Sequence, residues 1–358
     1  MSGARAVRWL WGPAPAARLA RLPLLPLAGL YWVTMKLRAA RLAPRGVRLP
    51  LPTIAVGNLS VGGTGKTPLA SWIARYCAAH GRRPGVLLRG YGGDEELVHR
   101  RLAPEAIVVA NPDRVAGARA AHEAGAEVLV LDDGYQLLEV ARDLNVAVVS
   151  AESGVGSPWP LPAGPWRERW DALERADVIV VTRKHTPAAL AHRLADRLAR
   201  TARRAESGGG PVRALPVAIA WLAIERLDGM RSGTPQALDS LMGRRVLAAA
   251  GIADPESFGA QLEATGADVQ LLAYQDHHPY HPADLARLVR AAAGGDYVVV
   301  TEKDAVKLRE RWPAEVAEPL VAVLGVRWER NGRALEQAVD RVLGPAGPSR
   351  GPTRTRVP

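Results

Sequence analysis

Residues 53–68 read TIAVGNLSVGGTGKTP, and their types and order suit phosphate chemistry. Small residues at Gly62, Gly63, Thr64 and Gly65 let backbone N–H groups converge on phosphate oxygens. Lys66 then reaches the terminal phosphates and Thr67 offers a hydroxyl to Mg²⁺. An apolar strand candidate (53–56) precedes the turn and a helix pattern starts near Pro68. Its N-terminus adds partial positive charge, and proline is tolerated in a first turn. The usual spacing places glycine six residues before the lysine; Ser60 stands there instead. The strand–loop–helix context points to a bound nucleotide.

Two further groups of residues fit that chemistry. EVLVLDDGYQ (127–136) is a buried-strand pattern that delivers Asp132 and Asp133 to its end, where a Mg²⁺-coordinating carboxylate belongs beside a phosphate loop. The residues do not say which acid is inner-shell. Asp94 follows strand PGVLLRG (84–90), at an exit where α/β sheets bind ligands. Residues alone leave it between a turn aspartate and a carboxylate that orients or deprotonates an attacking hydroxyl. Asp276, His277, His278 and His281 share a polar loop; no fourth ligand accompanies the histidines, which disfavours zinc. TEKD (301–304) partly matches a guanine-reading N-K-x-D element with its lysine one place late.

The elements that must position these groups alternate. Helix pattern 68–81 ends at Gly81, strand-then-helix patterns recur over 107–126, 246–258 and 296–310, and 171–185 reads as a short helix followed by a strand. Such alternation predicts an α/β fold with a mostly parallel, doubly wound sheet of the P-loop NTPase-like kind. The glycine-rich stretch 202–211 marks a boundary. The expected units are an N-terminal arm (1–50), a nucleotide-binding domain (51–205), a smaller C-terminal α/β domain (206–343) and a tail (344–358). The loop ESGVGSPWPLPAGPWRERW, carrying Arg167, is open to either packing or substrate contact.

Composition narrows the setting. A single cysteine, Cys77, excludes an internal disulfide and points to a reducing compartment. The net charge is +11, yet residues 1–93 hold 14 Lys/Arg and no acid, while the remainder nets −3. Between Arg21 and Lys36 lie 14 uncharged residues, LPLLPLAGLYWVTM, short of the roughly 20 that span a bilayer. With Tyr31 and Trp32 among them and Arg18, Arg21, Lys36, Arg38 and Arg41 around them, the arm reads as an interfacial anchor on an anionic membrane surface. Nucleic acid is disfavoured because aromatic interleaving is poor.

Taken together, VGNLSVGGTGKTP (56–68), LLRGYGGDE (87–95), LDDGYQ (131–136), LPAGPWRE (161–168), AGIADPESF (250–258), DHHPY (276–280) and TEKDAVKL (301–308) resemble the tetraacyldisaccharide 4′-kinase family over nearly all of residues 20–335. The resemblance implies transfer of the ATP γ-phosphate to the 4′-hydroxyl of an acylated glucosamine disaccharide 1-phosphate in lipid A biosynthesis. It also implies a monotopic protein at the cytoplasmic face of the inner membrane, with no obligate protein partner. Lys66 and Thr67 would serve ATP and Mg²⁺, and Asp132 and Asp133 match the family's acidic pair. Asp94 matches the carboxylate that deprotonates the sugar, and His277 its dyad histidine. The family commonly reads D-D-G-F-Q-H; Leu137 here removes that imidazole, with His278 as a candidate replacement. Glu96 stands where a proline is usual. A P-loop GTPase or metallochaperone-like switch, and a non-enzymatic basic membrane module, are the rival readings.

Overall fold

The computed structural model describes residues 3–42, 46–90, 94–154, 157–205 and 212–344. Three helices open the chain: α1 (Gly3–Trp11), α2 (Pro15–Ala20) and α3 (Leu25–Leu42). Strand β1 (Thr53–Asn58) leads through the glycine-rich turn into α4 (Lys66–Ala79). Then come β2 (Pro84–Leu88), α5 (Asp94–Leu102), β3 (Ile107–Ala110), α6 (Arg114–Glu123), β4 (Val128–Asp132), β5 (Leu144–Ser150), the short α7 (Ala151–Gly154), β6 (Val178–Arg183) and α8 (Ala188–Thr201). A small ribbon, β7 (Arg203–Ala205) with β8 (Val212–Ala214), precedes the long β9 (Val217–Gly229) and the two-residue β10 (Pro235–Gln236). The chain closes with β11 (Arg245–Ala250), α9 (Pro255–Glu263), β12 (Asp268–Ala273), α10 (Pro282–Ala293), β13 (Tyr297–Thr301), α11 (Glu302–Leu308), β14 (Leu320–Arg330) and α12 (Arg333–Leu343).

One 12-stranded sheet crosses both expected α/β units, in the order β12-β11-β13-β14-β9-β6-β5-β1-β4-β2-β3 with β10 against β9. All neighbours are parallel except the pairs β14–β9 and β10–β9. The central strands are buried on both faces, so they read as continuous apolar runs. Ile54 and Val56 pack beneath α4 and α12, whereas Ala55, Leu87 and Leu131 face α6. The second parallel group repeats the pattern: Val246 and Val299 pack with Phe258 of α9, and Leu247 and Val298 with Leu288 of α10.

The antiparallel seam between β9 and β14 decides where ligands go. Strand β6 ends at Arg183, level with Trp221 on β9. Strand β13 ends at Thr301, level with Ala322 on β14, which itself lies opposite Leu227. The two parallel groups therefore run toward each other along one ribbon, leaving the middle of β9 and β14 as a floor between their carboxyl ends. Both groups thus present the ends at which α/β folds bind ligands to a single cleft.

On the arm, Ala17 and Ala28 are buried, while Leu19, Leu22, Leu27, Leu30, Val33 and Leu37 are exposed. Helix α3 is held to the body by a Lys36–Asp171 ion pair of 2.8 Å and by Arg169 over the Trp32 ring. Arg21 departs from the expectation of a surface cation: it is buried and donates to the Ala17 and Gly12 carbonyls, so it braces the α1–α2 turn. No described helix is long and apolar enough to cross a membrane.

Candidate active site

The cleft holds a cavity of about 340 Å³ lined by the glycine-rich turn, Lys66, Thr67, Asp133, Arg167 and, from the opposing group, Asp254, His277 and Lys303. Its floor is apolar: Leu222 and Ile224 from β9, Ala322 and Leu324 from β14. The turn is rigid where it meets that floor. Gly65 caps α4 at φ +86°, and a Cβ there would lie 2.1 Å from Leu222 Cδ1. Only glycine fits such a position. From the far side, Thr182 donates to the Thr64 carbonyl at 2.7 Å and Lys184 to the Gly63 carbonyl at 2.8 Å. Ser60, in the place of the usual glycine, is buried in this frame, and Asn58 donates to its carbonyl.

The acid pair divides its work. Asp132 ends β4 inside the protein, and its Oδ2 accepts from Thr67 Oγ1 at 2.8 Å and from His99 Nε2 at 2.8 Å. Burial alone pushes this carboxyl up. The His99 bond and charge, the Lys66 charge and the Thr67 hydroxyl outweigh it and hold the pKa at about 2. Asp133 turns the other way because its backbone adopts φ +57°, a conformation Asp tolerates better than most residues. Its oxygens face Lys66 Nζ at 3.2 Å and Arg167 at 3.5 Å.

Asp132 Oδ1 is buried without a hydrogen-bond partner, and such an orphan is costly unless something else satisfies it. Among the described residues no group of three or more His, Cys, Asp or Glu gathers as a metal cage. Mg²⁺ needs none: it binds through one or two protein oxygens together with waters and phosphates. Thr67 and Asp132 fit that donor set.

Across the cleft, His277 lies on the loop after β12 at φ +60°, with its N–H held by the Gly251 carbonyl at 3.0 Å. Gly251 N in turn donates to Asp304, which is fully buried and also bonds Thr301 Oγ1 at 2.6 Å. The aspartate of TEKD is thus turned inward to brace the histidine loop rather than outward toward a base. His278 stacks on Tyr274 and pairs with Asp284 at 2.9 Å, so it does not replace the imidazole missing at Leu137. The imidazole that does reach the acid pair is that of His99, on α5, bonded to Asp132 Oδ2. The sequence signalled it only weakly, as one histidine within the basic run VHRR.

Asp94 begins α5. Its side chain, like residues Tyr91–Gly93 of the GYGGDE motif and residues 345–358 of the expected tail, lies outside the described residues. Further along α5, Glu95, Val98 and Leu102 occupy one helical face and line the cavity. The PWPLPAGPW loop both packs and reaches the site: Trp166 is buried, while its neighbour Arg167 lines the cleft.

Glu302 also lines the cavity, 7% exposed and with an unpartnered Oε1. Burial pushes its pKa up to about 8, against the opposing pull of Arg101 and Arg226. The native state therefore keeps a proton that the unfolded chain releases above about 4.5. Stability from this group is complete below that pH and is lost as pH rises toward 8. Glu302→Gln, which mimics the neutral form, should gain on the wild type by on the order of 2 kcal/mol between about pH 5 and pH 8. Urea midpoints at the two pH values check this, and a difference that does not change with pH would contradict it.

A family model described as tetraacyldisaccharide-1-P 4′-kinase matches residues 20–344. The tetraacyldisaccharide 4′-kinase of Anaeromyxobacter sp. (strain K) is 38% identical over an alignment covering 100% of both chains. That of Geobacter metallireducens is 34% identical and covers 91% of this chain and 100% of its own. The solved "apo" form of LpxK from Aquifex aeolicus in complex with ATP superposes with a TM-score of 0.69 at 25% identity, covering 91% of this chain and 100% of that one. The match over nearly the whole chain shows the family: the chain belongs to the tetraacyldisaccharide 4′-kinase family.

Proposed function

We propose that the cleft of this ATP-dependent lipid-sugar kinase works as a P-loop NTPase-like phosphoryl-transfer site that takes its two substrates from opposite sides. The enzyme phosphorylates the 4′-hydroxyl of an acylated glucosamine disaccharide 1-phosphate, a lipid A precursor. The observation that carries the site reading is the bond from Thr67 to Asp132: the hydroxyl after the phosphate-loop lysine meets the acid ending the neighbouring strand. In this reading backbone N–H groups of residues 62–67 hold the phosphates, and Lys66 Nζ balances charge on the transferring group. Thr67 and Asp132 would hold Mg²⁺, which when bound supplies charge neutralisation to the phosphates. Asp133 keeps Lys66 and Arg167 oriented at the cleft.

On the acceptor side, the Asp94 carboxylate takes the proton from the 4′-hydroxyl as its oxygen bonds the γ-phosphorus. The bond from that phosphorus to the bridging oxygen breaks, and ADP leaves with the electron pair. His277 orients Asp94 or shares its charge. Positioning and electrostatics supply most of the rate, as expected for phosphoryl transfer. The same reading divides the chain into an arm (1–50), a nucleotide-binding unit (51–205), a unit completing the cleft (206–343) and a tail (344–358). Mass spectrometry of the acylated disaccharide 1-phosphate after incubation with ATP and Mg²⁺ tests the activity. One added phosphoryl group on the distal sugar is expected; hydrolysis of ATP with no lipid product would contradict it.

The arm brings that cleft to the cytoplasmic face of the inner membrane as a peripheral or monotopic anchor. What supports this is the exposure of Leu19 (67%), Leu30 (66%) and their neighbours beside the exposed cations Arg18, Arg38 and Arg41. Each half-exposed leucine offers on the order of 1 kcal/mol to an interface. Leu27→Asp/Leu30→Asp should therefore lower partitioning onto anionic vesicles by at least about tenfold in a flotation assay. Unchanged partitioning would remove the anchor.

A further inference from the structure

Among the described residues, the phosphate-loop chemistry leaves the fully buried side chain of His99 without a role. His99 is 0% exposed, on α5. Its Nε2 lies 2.8 Å from Asp132 Oδ2 and its Nδ1 2.9 Å from Ser71 Oγ, one turn after Thr67 on α4. A buried histidine satisfied by two neighbours is ordinary core structure in most proteins. Here the partner is not ordinary. Asp132 Oδ2 already accepts from Thr67, so with His99 it holds two donors, while Oδ1 has none. Rotating that carboxylate would break two buried bonds at once, which fixes which oxygen is left for a ligand.

We propose that His99 is a positioning residue: it locks the Asp132 carboxylate so that Oδ1 is presented to the cation, and it pins the acceptor-side helix to the nucleotide-side helix through Ser71. The proposal rests on the reading of Asp132 as a cation carboxylate. Helix α5 makes the link consequential. Its first residue is Asp94, its cavity face carries Glu95 and Val98, and it is tied to the opposing strand group by Glu95–Lys303 at 3.6 Å and to the seam strand β9 by Arg101–Asp228 at 3.1 Å. His99 is the buried contact from this helix to the acid–threonine pair, so the cation's carboxylate and the acceptor helix share one support.

The test is the coupling between cation and nucleotide, read without turnover. The Kd of a non-hydrolysable ATP analogue is measured in EDTA and in saturating Mg²⁺ for the full-length protein and its variants. Residues that hold a metal's ligands typically contribute 10–100-fold to its affinity. His99→Leu is therefore expected to shrink the Mg²⁺-dependent gain in analogue affinity by about 10–100-fold, leaving the EDTA value within about twofold. His99→Gln, which keeps an N–H donor, should recover most of the gain. Ser71→Ala, which frees only the ring's other nitrogen, should show a smaller loss in the same direction. The two milder variants carry the test if His99→Leu does not fold. A coupling unchanged in every folded variant, or losses equal in EDTA and Mg²⁺, would overturn the role of His99. A wild type with no Mg²⁺ coupling would instead overturn the assignment of Asp132, and the proposal with it.

Discussion

Lys66→Ala is expected to lower turnover at saturating ATP by about a thousandfold or more. The side chain is mostly enclosed, its ammonium 3.2 Å from Asp133, at the mouth of the helix that follows the glycine-rich turn. Losing one neutral donor at a site of developing charge already costs about 10²–10³ in rate. Lysine brings a full positive charge into a cleft whose floor is hydrocarbon, where the surroundings screen it less than water would. Its removal also leaves Asp133 with Arg167 as its cation at the cleft, at 3.5 Å. Steady-state kinase assays with folded protein check the result, and a loss under tenfold would show that charge on the transferring phosphoryl group is balanced elsewhere. Lys66→Arg is not a rescue, because a planar guanidinium does not reproduce a point charge on a flexible stem.

Asp94→Ala should cut turnover by roughly 10²–10⁴ while changing ATP affinity by no more than about twofold, since a general base contributes at that scale. The asymmetry follows from placement. Asp94 starts α5, which the proposed mechanism puts on the acceptor side, whereas the groups it gives to the phosphates belong to the turn and α4. Kinase kinetics paired with nucleotide titration separate the two effects. Equal losses in both would remove Asp94 from proton transfer and make it a nucleotide ligand.

Much of the glycine-rich turn and its flanking elements is legible in the sequence. Strand β1, its turn and α4 are written in consecutive residues, and the period of the pattern changes at the turn, so local sequence carries them. Asp132 and Asp133 were visible because an apolar run ending in acids is expensive without a cation. The division of labour between them was not, because it depends on the positive φ of Asp133 and on partners 65 and 33 residues away, Thr67 and His99.

The antiparallel seam was illegible for a related reason. Nothing in RALPVAIAWLAIERLDG says that β9 will pair with β14, about a hundred residues later, and thereby reverse the second strand group. His277 is singled out by the family resemblance and not by composition, and its approach to the cleft depends on that reversal. The inward turn of Asp304 and the burial of Arg21 likewise arise from packing between distant segments. Charge patterning places Arg21 with the other cations of the arm at an anionic membrane surface.

At the centre of the account is one triphosphate lying in the cleft between the two strand groups, its terminal phosphate at Lys66 and facing α5. A crystal structure with β,γ-methylene ATP and Mg²⁺ tests this most directly. The account predicts density for the terminal phosphate beside Lys66 Nζ and for a cation whose protein oxygens are Thr67 Oγ1 and Asp132 Oδ1. A nucleotide seated outside the cleft, or a cation held away from both of those oxygens, would contradict it.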